Sequence, residues 1–252
     1  MMELFDLTGK VAIVTGASTG LGEGMAEALA QAGANVVGVA RSSCESAKKK
    51  VEAAGAKFLE VRADLMSMEP LDRIISETLK EFGRVDILVN NAGIIRRADA
   101  LEFSEKDWDD VMNVNLKTLF FFSQKVANEF VRQGTGGKII NTASMLSYQG
   151  GIRTASYTSS KSGVMGLTRL MADEWAKYGI NVNAIAPGYM VTNNTKALRE
   201  DKARYEEILG RIPAGRWGTP EDLGGAVVFL ASKASDYVHG FTIAVDGGWL
   251  AR

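Results

Sequence analysis

The chain has one cysteine, Cys44, and one histidine, His239, among its 252 residues. A lone thiol excludes an internal disulfide and fits a reducing compartment. With so few soft ligands, a zinc or iron–sulfur centre is not expected. Nor does Cys44 have an evident histidine or asparagine partner, so we read it as an incidental thiol and His239 as structural. No charge of one sign dominates: 29 Lys and Arg face 30 Asp and Glu, for a formal net charge of -1. That balance leaves no footprint for nucleic acid or an anionic membrane. No stretch approaches the ~20 apolar residues of a membrane span. The first ten residues lack the basic segment and apolar run of a secretory signal, and a cytoplasmic location is expected. Repeats, low-complexity tracts and linkers are absent too.

What remains is ordinary globular composition, 46% hydrophobic and 23% charged, long enough for one sizeable core. Short apolar, β-branched runs at 11–15, 35–40, 57–62, 85–90, 138–143, 180–186 and 241–245 alternate with helical patterns. The helical patterns lie at about 21–32, 43–54, 68–82, 107–133, 155–178 and 220–232. Such alternation predicts an α/β fold, a doubly wound parallel sheet with helices on both faces. The whole of 1–252 reads as one domain. A polar, charged stretch at 187–219, with little apolar content, is expected to be a lid at a strand end.

Residues 11–22 run Val-Ala-Ile-Val-Thr-Gly-Ala-Ser-Thr-Gly-Leu-Gly. A strand enters Gly16, Gly20 and Gly22, and a helix follows. Missing side chains let a pyrophosphate approach the backbone, where helix N-terminal N–H groups favour anions. The alternative is a tight turn without a ligand; its position in the first βα unit favours a dinucleotide. After the second strand comes Arg41, where an acidic residue would bind the adenosine ribose. Arg41 is either a clamp for a 2′-phosphate, pointing to NADP(H), or a solvated loop charge.

Of six tyrosines, only Tyr157 has a lysine four residues on, Lys161. That spacing puts both on one helix face. A nearby ammonium favours the phenolate and lowers the tyrosine pKa from its usual value of about 10. Ser144 supplies a hydroxyl to hold a substrate oxygen. The three make a proton-transfer device without metal or histidine, unless the spacing is an accident of a helix surface.

Taken together these residues resemble the short-chain dehydrogenase/reductase family across the whole chain. The pattern comprises the Thr15–Gly22 turn, Asp64-Leu65, Asn90-Asn91-Ala92-Gly93, Asn115, Ser144, Tyr157-x-x-x-Lys161, and Pro187-Gly188 with Thr192. The resemblance implies a Rossmann-like seven-stranded sheet and a catalytic set of Asn115, Ser144, Tyr157 and Lys161. Asn115 would hold a water that relays protons to Lys161. The cofactor would meet Gly16, Ser18, Thr19, Gly20, Leu21 and Gly22 at the turn. It would also meet Asp64 and Leu65 at the adenine, Asn91, Ala92 and Gly93 along its length, and Tyr157 and Lys161. Pro187, Gly188 and Thr192 would lie at the nicotinamide end. The family resemblance implies NAD(H), with Arg41 as the departure that admits NADP(H). It further implies a homotetramer built on the two long helices, whose surplus apolar residues and Gly163 and Gly166 are equally consistent with core packing.

The Ile95-Arg96-Arg97, 144–151, 189–194, 211–218 and 246–252 segments look most like family members acting on deoxy sugar acids. We therefore expect a small sugar-acid substrate, with Arg97, Ser144, Met145, Gln149, Arg153, Tyr157, Tyr189 and Asn193 as its contacts. A 3-oxoacyl thioester reductase is the enzymatic rival, and a dinucleotide sensor without chemistry is the rival from another class.

Overall fold

Runs rich in Val and Ile form strands because branched side chains pack well on a pleated surface and lose little rotamer freedom there. The computed structural model describes residues 3–252. Its strands are β1 (Val11–Thr15), β2 (Asn35–Ala40), β3 (Phe58–Arg62), β4 (Ile87–Asn90), β5 (Gly137–Thr142), β6 (Ile180–Pro187) and β7 (Thr242–Val245). Every neighbouring pair is parallel, in the order β3-β2-β1-β4-β5-β6-β7. The strand order reverses between β1 and β4, and open α/β sheets bind ligands in the crevice at that edge. The expected fold is present, with strand ends within two residues of those read from the sequence.

The helices are α1 (Gly20–Gln31), α2 (Glu45–Ala53), α3 (Leu71–Phe82), α4 (Glu105–Met112), α5 (Leu119–Gln133), α6 (Ala155–Trp175), α7 (Lys196–Glu200), α8 (Lys202–Arg211) and α9 (Gly224–Ala231). Period-two alternation divides the strand side chains between two layers. Ala12, Val14 and Val36 pack with Met25 and Leu29 of α1, Val51 of α2 and Val227 of α9. Val11, Ile13 and Val37 pack with Ile74 of α3, Phe122 of α5 and Met171 of α6. Both faces are covered, which is why β1, β2 and β4 read as near-continuous apolar runs. Each fully buried Leu, Ile or Phe stabilises the fold by about 1.5–3 kcal/mol.

Several expectations need correction. The helix read at 107–133 is two helices joined by a π stretch, Asn113–Thr118. There Asn113 donates to the Met66 carbonyl, and Asn115 is fully buried. The helix expected from 68 begins at Leu71, with Pro70 at its N-cap, where a missing N–H costs nothing. Gly163 does not wait for a neighbouring helix. A Cβ there would lie 2.9 Å from Leu116 of the same chain, while Gly166 faces open space.

The 187–219 segment also differs from the polar loop expected. It carries α7 and α8 and buries Met190, Ile208, Ile212 and Trp217. Ile208, Ile212 and Trp217 form an apolar cluster with Met145 and Trp249, which come from outside it. Its two ends are tied together: Val191 N–H donates to the Gly218 carbonyl at 2.8 Å, and Gly218 N–H to the Tyr189 carbonyl at 3.0 Å. Among the described residues no helix is long and apolar enough to cross a membrane.

Candidate active site

A cleft of about 310 Å³ opens at the carboxyl ends of β1, β2 and β4. Its floor is the glycine turn. Gly16 and Gly20 have φ of 67° and 61°, a left-handed conformation that costs glycine nothing. Gly22 is constrained by space: a Cβ there would lie 2.2 Å from the Gly16 carbonyl oxygen and 2.5 Å from Asn91 Nδ2. The turn is locked to the end of β4. Thr15 Oγ1 accepts from the N–H groups of Asn91 and Ala92, both at 2.9 Å, and Asn91 Nδ2 donates to the Thr15 carbonyl at 2.9 Å.

Of the residues expected at a cofactor, Gly16, Ser18, Thr19, Gly20 and Leu21 line this cleft. So do Arg41, Asp64, Leu65, Asn91, Ala92 and Gly93, and at the far end Tyr157, Lys161 and Thr192. Gly22, Pro187 and Gly188 do not. Gly22 lets α1 close on the turn, and Gly188 lets β6 end against Asp246, whose Cα a Cβ would approach to 2.6 Å. Asn193, expected at the substrate, lines the same cleft, as does its neighbour Asn194. Arg41 is exposed at the rim and makes no ion pair among the described residues. The cavity, the backbone approach and the free guanidinium fit a phosphorylated dinucleotide.

Of the expected catalytic set, Tyr157 and Lys161 line this cleft, Ser144 reaches the Tyr157 phenol, and Asn115 is fully buried. Tyr157 and Lys161 stand one turn apart on α6, with the Lys161 ammonium 5.6 Å from the Tyr157 ring centroid. Lys161 is 3% exposed, and its Nζ donates to the Thr142 carbonyl at 2.5 Å. Burial pushes its pKa down to about 8. Burial acts on Tyr157 in the opposite sense and raises the phenol pKa; the Ser144 hydroxyl, then the Arg97 charge, pull it back. The expectation that Lys161 lowers the Tyr157 pKa is thus not met in this structure. The ammonium bonds to Thr142 instead, and burial weakens its charged form.

Ser144 sits at the start of a 3₁₀ turn after β5, its Oγ accepting from Leu146 N–H at 3.1 Å. Asn115 differs in its use. Its Oδ1 accepts from Ile94 N–H at 2.8 Å, and its Nδ2 donates to the Ile94 carbonyl at 2.9 Å and to Ser160 Oγ at 3.2 Å. The side chain therefore holds the loop after β4 against α6, and a proton relay would have to use other atoms.

The expected substrate contacts divide. Arg97 is exposed beside the cleft, its guanidinium donating to the Asn194 carbonyl at 3.3 Å, with its charge reaching Tyr157. Arg153 is already paired with Asp99 at 3.0 Å and has a positive φ of 62° at the chain reversal before α6. Gln149 Oε1 accepts from Trp249 Nε1 at 3.1 Å. Met145 and Tyr189 pack into the cluster of the 187–219 segment, with the Tyr189 ring edge-on to Trp217 and Trp249 at 5.3 and 4.8 Å. Sequence reasoning missed Thr142, which acts through a main-chain carbonyl, and Ser160, which supports Asn115.

Comparison with known proteins adds identity to this geometry. Residues 16–250 match the family model described as enoyl-(acyl carrier protein) reductase. The chain is 64% identical, over the full length of both, to the 2-dehydro-3-deoxy-D-gluconate 5-dehydrogenase of Escherichia coli K12. It is 63% identical, again over both full lengths, to the enzyme of the same name from Dickeya dadantii. Among solved structures, a gluconate 5-dehydrogenase from Burkholderia cenocepacia in complex with NADP and tartrate is 39% identical, with a TM-score of 0.93. That alignment covers 99% of this chain and 98% of that one.

Proposed function

The chain belongs to the short-chain dehydrogenase/reductase family, and from that premise we propose that it is a 2-dehydro-3-deoxy-D-gluconate 5-dehydrogenase, an NAD(P)-dependent oxidoreductase of deoxy sugar acids. The identity that spans both whole chains to enzymes of that one name carries the substrate reading. Tyr157 and Lys161 on the cleft wall, with the Ser144 hydroxyl in hydrogen-bond reach of the Tyr157 phenol, carry the chemistry.

The bound nicotinamide cofactor supplies or accepts the hydride. The glycine turn would hold its pyrophosphate, Asp64 and Leu65 its adenine, and Arg41 the 2′-phosphate that distinguishes NADP(H). The protein orients the sugar acid and moves a proton. Ser144 and Tyr157 hold the reacting oxygen, and the Tyr157 hydroxyl donates its proton in reduction and takes one back in oxidation. Lys161, buried beside it, completes the polar floor. Arg97 holds the substrate carboxylate, for which its guanidinium is suited by its two-pronged geometry. Arg153 is a weaker choice because Asp99 already engages it. The 187–219 segment, hydrogen-bonded at both ends and packed on Met145 and Trp249, serves as the lid.

We read the enzyme as cytoplasmic and as a homotetramer that pairs through the exposed faces of α5 and α6. Val131 and Leu170 are exposed there. The second reading, an acyl thioester reductase, follows from the name of the family model, but the polar rim of Arg97, Asn193 and Asn194 suits a small acid better. Tyr157→Phe keeps the ring and deletes the proton donor. It should preserve cofactor binding while turnover falls by roughly 10²–10⁴-fold; activity within a few-fold of wild type would refute the role.

A further inference from the structure

We propose that Ser147, which lies outside the set assigned above, is a positioning residue whose hydroxyl ties the Ser144 turn to α6 and thereby sets Ser144 against Tyr157. The inference rests on the reading of the cleft as an oxidoreductase site. Ser147 is half-buried and does not line the cleft. Its Oγ accepts from Ser144 N–H at 3.2 Å and donates to the main-chain carbonyl of Lys161 at 2.6 Å.

The first bond belongs to the capping box of the 3₁₀ turn, in which Ser144 Oγ and Ser147 Oγ each satisfy an N–H of the turn. The second is not needed for capping. Lys161 lies inside α6, where its carbonyl already has an intrahelical partner. The short bond from Ser147 adds a link between two elements that are otherwise separate in the chain. Lys161 is consequently held at two points from the β5 side: its ammonium by the Thr142 carbonyl, its own carbonyl by Ser147. One turn along the same helix stands Tyr157. The placement of the Ser144 hydroxyl relative to the phenol is set through this clamp.

Loss of the hydroxyl leaves Ser144 N–H, in a residue 7% exposed, without its acceptor. The turn must then shift to find another, and Ser144 moves with it. Two groups act on the Tyr157 phenol, Ser144 from the turn after β5 and Arg97 from the loop after β4, while Lys161 of α6 faces the ring with its ammonium bonded to Thr142. Burial raises its pKa and Ser144 and Arg97 lower it. A displaced Ser144 therefore lets the Tyr157 pKa rise further, and any activity that needs the phenolate moves to higher pH.

The titration of Tyr157 can be read without substrate from ultraviolet difference spectra, because phenolate absorbs where phenol does not. Tyr157→Phe serves as the blank. In Ser147→Ala the Tyr157 transition should move to higher pH than in wild type, with dinucleotide affinity unchanged. The turnover number for alcohol oxidation should fall about tenfold to a hundredfold, the cost of a displacement on the order of 1 Å. Ser147→Thr keeps the hydroxyl and should return both readouts towards wild type. An unmoved Tyr157 transition in Ser147→Ala would overturn the proposal, as would a Ser147→Thr that titrates like Ser147→Ala. If wild type failed to turn over any sugar acid, the functional reading would fall while this titration still decided the role of Ser147.

Discussion

Arg41→Ala is the substitution whose outcome depends most directly on the shape of the cofactor cleft. Arg41 follows β2 at the cleft rim, exposed and without an ion pair among the described residues. Nothing in the fold needs its charge, so truncation should leave stability nearly unchanged. A charge-assisted bond to a phosphate contributes about 1.5–3 kcal/mol. An exposed guanidinium is screened by water and salt, so the lower end is the better expectation. About 1.5 kcal/mol is somewhat more than tenfold in affinity. Titration of cofactor fluorescence should therefore give a Kd for NADPH about tenfold weaker in the variant, with NADH within about twofold. The difference should shrink as salt is raised, because screening acts on the arginine–phosphate pair. Equal losses for NADH and NADPH would refute the reasoning, for then the side chain supports the loop and does not read the 2′ position.

Two further outcomes follow from the same geometry. Gly22→Ala puts a methyl 2.2 Å from the Gly16 carbonyl oxygen, so the turn must open. Overpacking of this kind costs about 1–3 kcal/mol, which thermal unfolding should register alongside weakened binding of both dinucleotides; unchanged binding would mean the turn does not carry the pyrophosphate. Arg97→Ala should raise KM and lower kcat on a sugar acid, since loss of the carboxylate anchor both loosens and misorients the substrate. A neutral ketone of similar size should be affected little in the same variant, and equal losses on both would leave Arg97 only a structural part.

Much of this was legible in the chain because the physics repeats along it. Strands buried on both faces are mostly apolar, so β1, β2 and β4 announce themselves. The glycine turn and the Tyr157–Lys161 spacing are local patterns, readable without knowing what lies opposite. The misses share a different cause. The π stretch at Asn113–Thr118 is a backbone insertion with no side-chain signature. Thr142 holds Lys161 through its carbonyl, which every residue type possesses. Arg153 reads as free for a substrate in the sequence because Asp99, its partner, comes from another loop. The 187–219 segment reads as poor in apolar residues because its cluster is completed by Met145 and Trp249 from elsewhere. The sense of the Tyr157 shift depended on burial, which spacing on a helix does not reveal.

The central claim is that this cleft oxidises and reduces a deoxy sugar acid. It is tested most directly by presenting the purified protein with 2-dehydro-3-deoxy-D-gluconate, D-gluconate and a 3-hydroxyacyl thioester, each with NAD⁺ and NADP⁺, and following nicotinamide absorbance. We predict the highest kcat/KM on 2-dehydro-3-deoxy-D-gluconate, with measurable use of NADP⁺, and loss of that activity in Tyr157→Phe. Turnover confined to the acyl thioester, or no turnover on any sugar acid while dinucleotide still binds, would contradict it.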